Sequence, residues 1–190
     1  MLNAVVLWKY HEASNFLAEL RGTVPSVQRQ IELLEPTFLG EKLNSFSFMS
    51  MDGYTISSDV FFRKKGHTLI AAFNGETCDR CLSVVIPRLG TLFEAVGSRL
   101  NILVSVSPEQ AALIPQFKRA FPVKYCVAID DSARIARSLK LSAPVLLLLD
   151  SNGRVICCHI VDNMKEERTS LFLGRIEKLF TEVEHSTSSF

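Results

Sequence analysis

The sequence holds no run of about 20 apolar residues, the length a helix needs to span a bilayer, so no membrane span is expected in it. It also has little charge of either sign in excess: 21 basic residues against 20 acidic ones leave a net +1. No basic block is interleaved with aromatics, which removes the electrostatic footprint of a nucleic-acid binder. The longest basic run, Arg63-Lys64-Lys65, reads as a solvated turn before a strand. The opening stretch from Met1 to Glu12 lacks the basic start, long apolar middle and small-residue cleavage site of a signal peptide. The expected location is therefore cytoplasmic, with a membrane-tethered or periplasmic one as the alternative if an anchor has been removed. Cysteine is odd in number, five, so at least one is unpaired, which is not the even framework of a disulfide-stapled secreted domain.

What the chain does have is enough apolar material for a core. Of its 190 residues 47% are hydrophobic and 22% charged, the balance of one folded domain and not of a disordered chain. Two of its cysteines stand three apart, in Thr77-Cys78-Asp79-Arg80-Cys81. An apolar run ending in Phe73 precedes them and Leu82-Ser-Val-Val-Ile follows, which reads as strand, short loop and a helix starting at the cysteines. The first turn of a helix carries unpaired N–H groups and partial positive charge. A Cys78 thiolate is stabilised there, and Arg80 adds a cation. Such settings lower a thiol pKa from about 8.5 by one to several units. A thiolate at neutral pH attacks disulfides, and Cys81 is close enough to resolve the mixed disulfide. The same spacing is half of a zinc site, but a second C-x-x-C or a spaced histidine pair is absent. Cys157 and Cys158 are adjacent, and neighbours on a strand point to opposite faces, so they do not converge on one metal. With Cys126 they read as buried strand cysteines.

The rest of the chain alternates. Residues 1–36 read as an N-terminal helical extension of two helices, which either covers the domain or pairs two copies into a homodimer. Phe46 to Ile56 alternates around Met51-Asp52-Gly53 as a β-hairpin. Thr68–Phe73 reads as a buried strand, and Cys78 to about Arg99 as a long helix kinked near Pro87. Leu100–Ser107 is the next strand, and Pro108–Ala120 one helix with proline in its first turn. Val123–Ile129 is a strand, and Ser132–Lys140 a helix behind an Asp130-Asp131 cap. Val145–Leu149 and Arg154–Val161 form a hairpin around Asp150–Gly153, and a helix from Met164 to about Glu184 closes the fold. These elements make an α/β domain over 37–185, a mixed central sheet flanked by helices, with a loose tail at 186–190.

Four segments in order resemble the thioredoxin superfamily, specifically its redoxin branch, over roughly residues 38–183. Leu39–Phe46 followed by Met51-Asp-Gly53 looks like the family's opening hairpin. Leu69–Phe73 through Cys81 looks like its strand, active-site loop and C-x-x-C. Phe121-Pro-Val, Ile129-Asp-Asp and Ala136–Pro144 look like the segment ending in the cis-proline, and Val145–Val155 like the final hairpin. The resemblance implies a thioredoxin-like fold and a thiol–disulfide oxidoreductase that needs no cofactor and acts on a redox partner protein or thiol substrate. It also implies Pro144 as the cis-proline facing Cys78 and Cys81, and Ala143 as the residue offering its backbone to a substrate strand.

The departures bear on activity. The aromatic residue often found before the first cysteine is Thr77, and the buried acid six residues before it is Ala72. The glutamate that another version places three residues after the second cysteine is Val84. The helix proline, Pro87, comes one residue late, and the groove glycine after the last strand corresponds to Val161. Glu76 is the remaining candidate proton acceptor beside the thiols. A thioredoxin-fold interaction or redox-sensing module with little turnover is therefore the alternative reading. Peroxidase and metal binding rank below both. The peroxidatic pattern of a threonine or serine three residues ahead fails at Cys78 and Cys81, and His159 reads as a packed strand residue and not a copper ligand.

Overall fold

The computed structural model describes residues 39–73, 79–97, 99–120, 125–130, 135, 144–162 and 165–181. The expected helices of 1–36, the tail, the loop 74–78, the segment 121–124 and all but Ile135 of the helix at 132–140 lie outside them. The described elements run β1 (Ser47–Ser50), β2 (Thr55–Ser57), α1 (Ser58–Arg63), β3 (His67–Ala72), α2 (Asp79–Val96), β4 (Asn101–Val106), α3 (Pro108–Ala111), α4 (Ile114–Ala120), β5 (Cys126–Ile129), β6 (Val145–Asp150), β7 (Val155–Ile160) and α5 (Glu166–Thr181).

One mixed sheet of seven strands, in the order β2-β1-β5-β4-β3-β6-β7, organises them. The central strands β3, β4 and β5 are parallel, whereas β6 runs antiparallel to β3 and carries β7 beside it as a hairpin. The β1–β2 hairpin closes the other edge, antiparallel to β5. Gly53, at φ 84°, turns that hairpin in a conformation that costs a side chain dearly. The near-continuous apolar run of β3 fits a strand covered on both faces. Leu69, Ala71 and Phe73 face a core shared with α2 and α5. Ile70 and Ala72 face the other core, with Phe48, Phe62, Ile135 and Leu147.

The strand period of two separates the paired cysteines as expected: Cys157 lies in the first core and Cys158 in the second. A register shift between Leu148 and Leu149 leaves Ile156 as an extra residue in β7. That bulge puts Val155 in the second core, although it stands two residues before Cys157. Cys126 departs from the expectation of burial and is only half-buried, because it opens β5 beside a surface cleft.

Two helical expectations are corrected. The segment Pro108–Ala120 forms two short helices, not one. A capping box between Ser107 and Gln110 starts the first, and Pro115, second in α4, has no N–H with which to carry the ladder back to Ala111. The second correction is α1, which was not foreseen; Asp59 occupies its first turn and Phe62 anchors it in the core. The long helix α2 continues through Pro87. Arg88 donates to the Glu166 carbonyl at 2.9 Å and Arg99 donates to the Phe180 carbonyl, so the two ends of α5 are tied to α2 and to the turn that follows it. Among the described residues, no helix is long and apolar enough to cross a membrane.

Candidate functional site

The strand pairing brings the site's parts to one end of the sheet. Ala72, last in β3, pairs with Val145, first in β6, and with Ser105 of β4. Phe73 then leaves the strand with its N–H bonded to the Ser105 carbonyl at 2.8 Å. The chain returns as α2, whose first turn holds Arg80 and Cys81. Pro144 precedes β6 at the same end, and its carbonyl accepts the Val161 N–H at 2.8 Å. Phe73, Cys81 and Val161 belong to one apolar cluster. Of the residues predicted from sequence, Cys81, Arg80 and Pro144 thus sit at one pole. Cys78, Thr77, Glu76 and Ala143 lie outside the described residues, and so does the Ala143–Pro144 peptide bond.

Among the described residues, Cys81 packs in an apolar cluster. It is 5% exposed and shares its cluster with Leu82 and Val85. The two positions where related patterns place an acid, Ala72 and Val84, are 4% and 8% exposed. A carboxylate at either would be shut away from water. The charge at this pole is carried instead by an exposed group. The Arg80 guanidinium is 3.7 Å from the Glu166 carboxylate, which is also 3.9 Å from Arg88. Glu166 is a site residue that sequence reasoning missed. It stands 86 positions beyond Arg80, in the first turn of α5, and only the packing of α2 against α5 joins them.

The remaining sequence candidates resolve as packing. His159 is buried in β7 with Nε2 3.1 Å from Thr169 Oγ1 and its ring stacked on Phe172 at 5.2 Å. Among the described residues, no group of three histidine, cysteine or acidic side chains is arranged to hold a metal.

The chain resembles solved structures with this architecture. The thioredoxin domain of a thiol-disulfide oxidoreductase from Bacteroides vulgatus superimposes with a TM-score of 0.54 at 13% identity, covering 71% of this chain and 97% of that one. The fold is thioredoxin-like. An exposed lipoprotein thioredoxin from Streptococcus pneumoniae aligns with a TM-score of 0.53 at 19% identity, covering 69% of this chain and 98% of its own. A peroxidoxin from Mycobacterium tuberculosis gives 0.54 at 14%, covering 73% and 96%. No family model matches the chain, and no curated protein does.

Proposed function

We propose that this protein is a thiol–disulfide oxidoreductase working through Cys78 and Cys81. The observation that carries the reading is the position of Cys81. It is buried in the first turn of the helix that follows β3, an inner strand of a thioredoxin-like sheet, three residues after a second cysteine. Solved structures of the same fold include a thiol-disulfide oxidoreductase and a thioredoxin, which is consistent with this chemistry.

In the reductive direction the Cys78 thiolate attacks one sulfur of a substrate disulfide and expels the other as a thiolate. The Cys81 thiol then loses its proton and attacks the Cys78 sulfur. That step closes the Cys78–Cys81 disulfide and releases the second substrate thiol. Two electrons and two protons pass to the substrate, and the dithiol itself is the reductant. The helix N-terminus stabilises the thiolate, Arg80 modulates it, and Glu76 is the candidate acceptor for the Cys81 proton. Pro144 and Ala143 shape the substrate groove together with Thr77. The physiological partner is a protein or small molecule bearing a disulfide or thiol.

A second reading has its own observation. The acid positions are the buried apolar residues Ala72 and Val84, which favours an interaction or redox-sensing module that turns over rarely. One experiment separates the two: thiol-trapping mass spectrometry across a glutathione or dithiothreitol redox series. The oxidoreductase gives a reversible two-electron transition confined to Cys78 and Cys81, and Cys78→Ser reduces exchange with a dithiol donor to background. Undiminished turnover in Cys78→Ser, or no disulfide at any poise, sinks the assignment.

A further inference from the structure

The pole opposite the cysteines carries a cleft of about 820 Å³, in the size range of small-molecule sites. It opens where β4 and β5 begin, between α1 and the last turns of α2. Its walls are apolar, from Ile56, Phe61, Phe93 and Ile102, and the exposed Val60 stands at its lip. Its charge is of one sign: Arg63, Lys64 and Lys65 line it, and none of its described lining residues is acidic.

Among the described residues, no acidic side chain pairs with these cations. The two ion pairs among the described residues both involve Glu166, at the other pole, and neither Arg63 nor Lys64 takes part in one. Lys65 is set into the wall. Its ammonium donates to the carbonyls of Gly97 and Leu100 and lies 5.7 Å from the Phe93 ring centroid. Partial burial pulls its pKa below the usual lysine value, and the adjacent Lys64 charge adds to the effect. Carbonyl dipoles and a ring face hold the ammonium in place but supply no counter-charge. An apolar floor under three consecutive cations, in a chain of 21 basic and 20 acidic residues in all, is a feature with a ligand chemistry of its own.

We infer that this cleft binds a small anionic amphiphile, an apolar body bearing one acidic head group, with the body against Phe61, Phe93 and Ile102 and the head among Arg63, Lys64 and Lys65. The apolar body removes wall surface from water, and the head relieves the mutual repulsion of Lys64 and Lys65. The sequence alone reads Arg63-Lys64-Lys65 as a solvated turn. The fold places the run against an apolar hollow and so gives it a second role. The inference stands independently of the redox chemistry, because no residue of the cleft lies at the cysteine pole.

Cys126 lines the cleft and is half-buried, so it reports occupancy. The experiment uses the full chain and sodium decanoate below its micelle concentration, with decanol and decyltrimethylammonium as neutral and cationic controls. Binding is read by calorimetry, and alkylation of each cysteine by peptide mass spectrometry. Decanoate is expected to bind and to slow Cys126 alkylation while leaving Cys78 unchanged, and the cationic control is expected to do neither. Replacing the exposed pair, Arg63→Glu with Lys64→Glu, is expected to weaken decanoate by about tenfold or more, with the fold checked by circular dichroism. Equal binding of decanoate and decanol, unchanged affinity in the double variant, or no protection of Cys126 would overturn the inference.

Discussion

The two ends of the sheet are built from opposite materials. At the end where β3 delivers the chain to Cys81, the described surroundings are apolar side chains and backbone hydrogen bonds, and the ion pair there joins the exposed Arg80 and Glu166. At the other end, three consecutive basic residues stand over a hollow. The difference teaches where each pole gets its chemistry. A buried thiol in a dry cluster depends on packing and on the helix terminus, because desolvation disfavours its charged form. The basic pole depends on unneutralised charge in contact with water, which is sensitive to salt and needs little packing.

The largest expected effect sharpens that contrast through stability. Phe73 is 4% exposed in the cluster that holds Cys81. Phe73→Ala should cost about 3–5 kcal/mol, the transfer loss plus the cavity it leaves. Arg63→Ala, at the other pole, should stay within about 0.5 kcal/mol, as exposed substitutions do. Urea unfolding of both variants measures the difference. Comparable losses would mean that the thiol pole is not organised by packing.

Much of this division was legible in the sequence. The strand before the loop and the helix that holds Cys81 carry apolar runs, so local pattern and tertiary outcome agree for those two elements. The separation of Cys157 from Cys158 follows from the strand period alone. What escaped the reading depends on distance or on small cues. The break between α3 and α4 turns on Pro115, one residue inside a segment that otherwise looks helical, and α1 is too short to show a period. Glu166 looks like any acidic residue in a helix first turn until α5 packs beside α2. The cleft is illegible for the same reason: Phe61, Phe93, Ile102 and Cys126 come from four separate segments, and only the fold places them around the basic run.

Tyr125 connects the poles and tests the middle of the molecule. Its ring lines the cleft, and its hydroxyl donates to the Ile86 carbonyl at 3.0 Å, just before Pro87 in α2. Burial raises its phenol pKa well above the usual value. A raised folded pKa means that the unfolded chain gives up the proton first. The contribution to stability is therefore whole below the ordinary phenol pKa of about 10 and is lost as pH climbs from there toward the folded value. Tyr125→Phe should cost about 1 kcal/mol at neutral pH for the missing hydrogen bond. It should also flatten the decline in stability above pH ~10. Denaturant midpoints measured at pH 7 and across the alkaline range read both effects. An alkaline slope unchanged by Tyr125→Phe would assign it to other groups.

The smallest effect bears most directly on the cysteines. Glu166 stands 3.7 Å from Arg80 and 3.9 Å from Arg88, with its side chain 42% exposed. Pairs this exposed contribute under about 1 kcal/mol each, and salt screens them. Glu166→Gln should therefore change the urea midpoint little at low ionic strength and not at all near 1 M salt. Its informative readout is the thiol. Arg80 lies one residue before Cys81 and two after Cys78, and Glu166 offsets its charge. Removing that offset leaves more positive potential beside Cys78, so its apparent pKa, followed by the pH dependence of alkylation, should fall. The same shift should appear at low salt and shrink as salt is added, and Arg80→Gln should move it the other way. A pKa indifferent to both substitutions would mean that Arg80 and Glu166 do not tune the thiol, and would sharpen the electrostatic contrast between the two ends of the sheet.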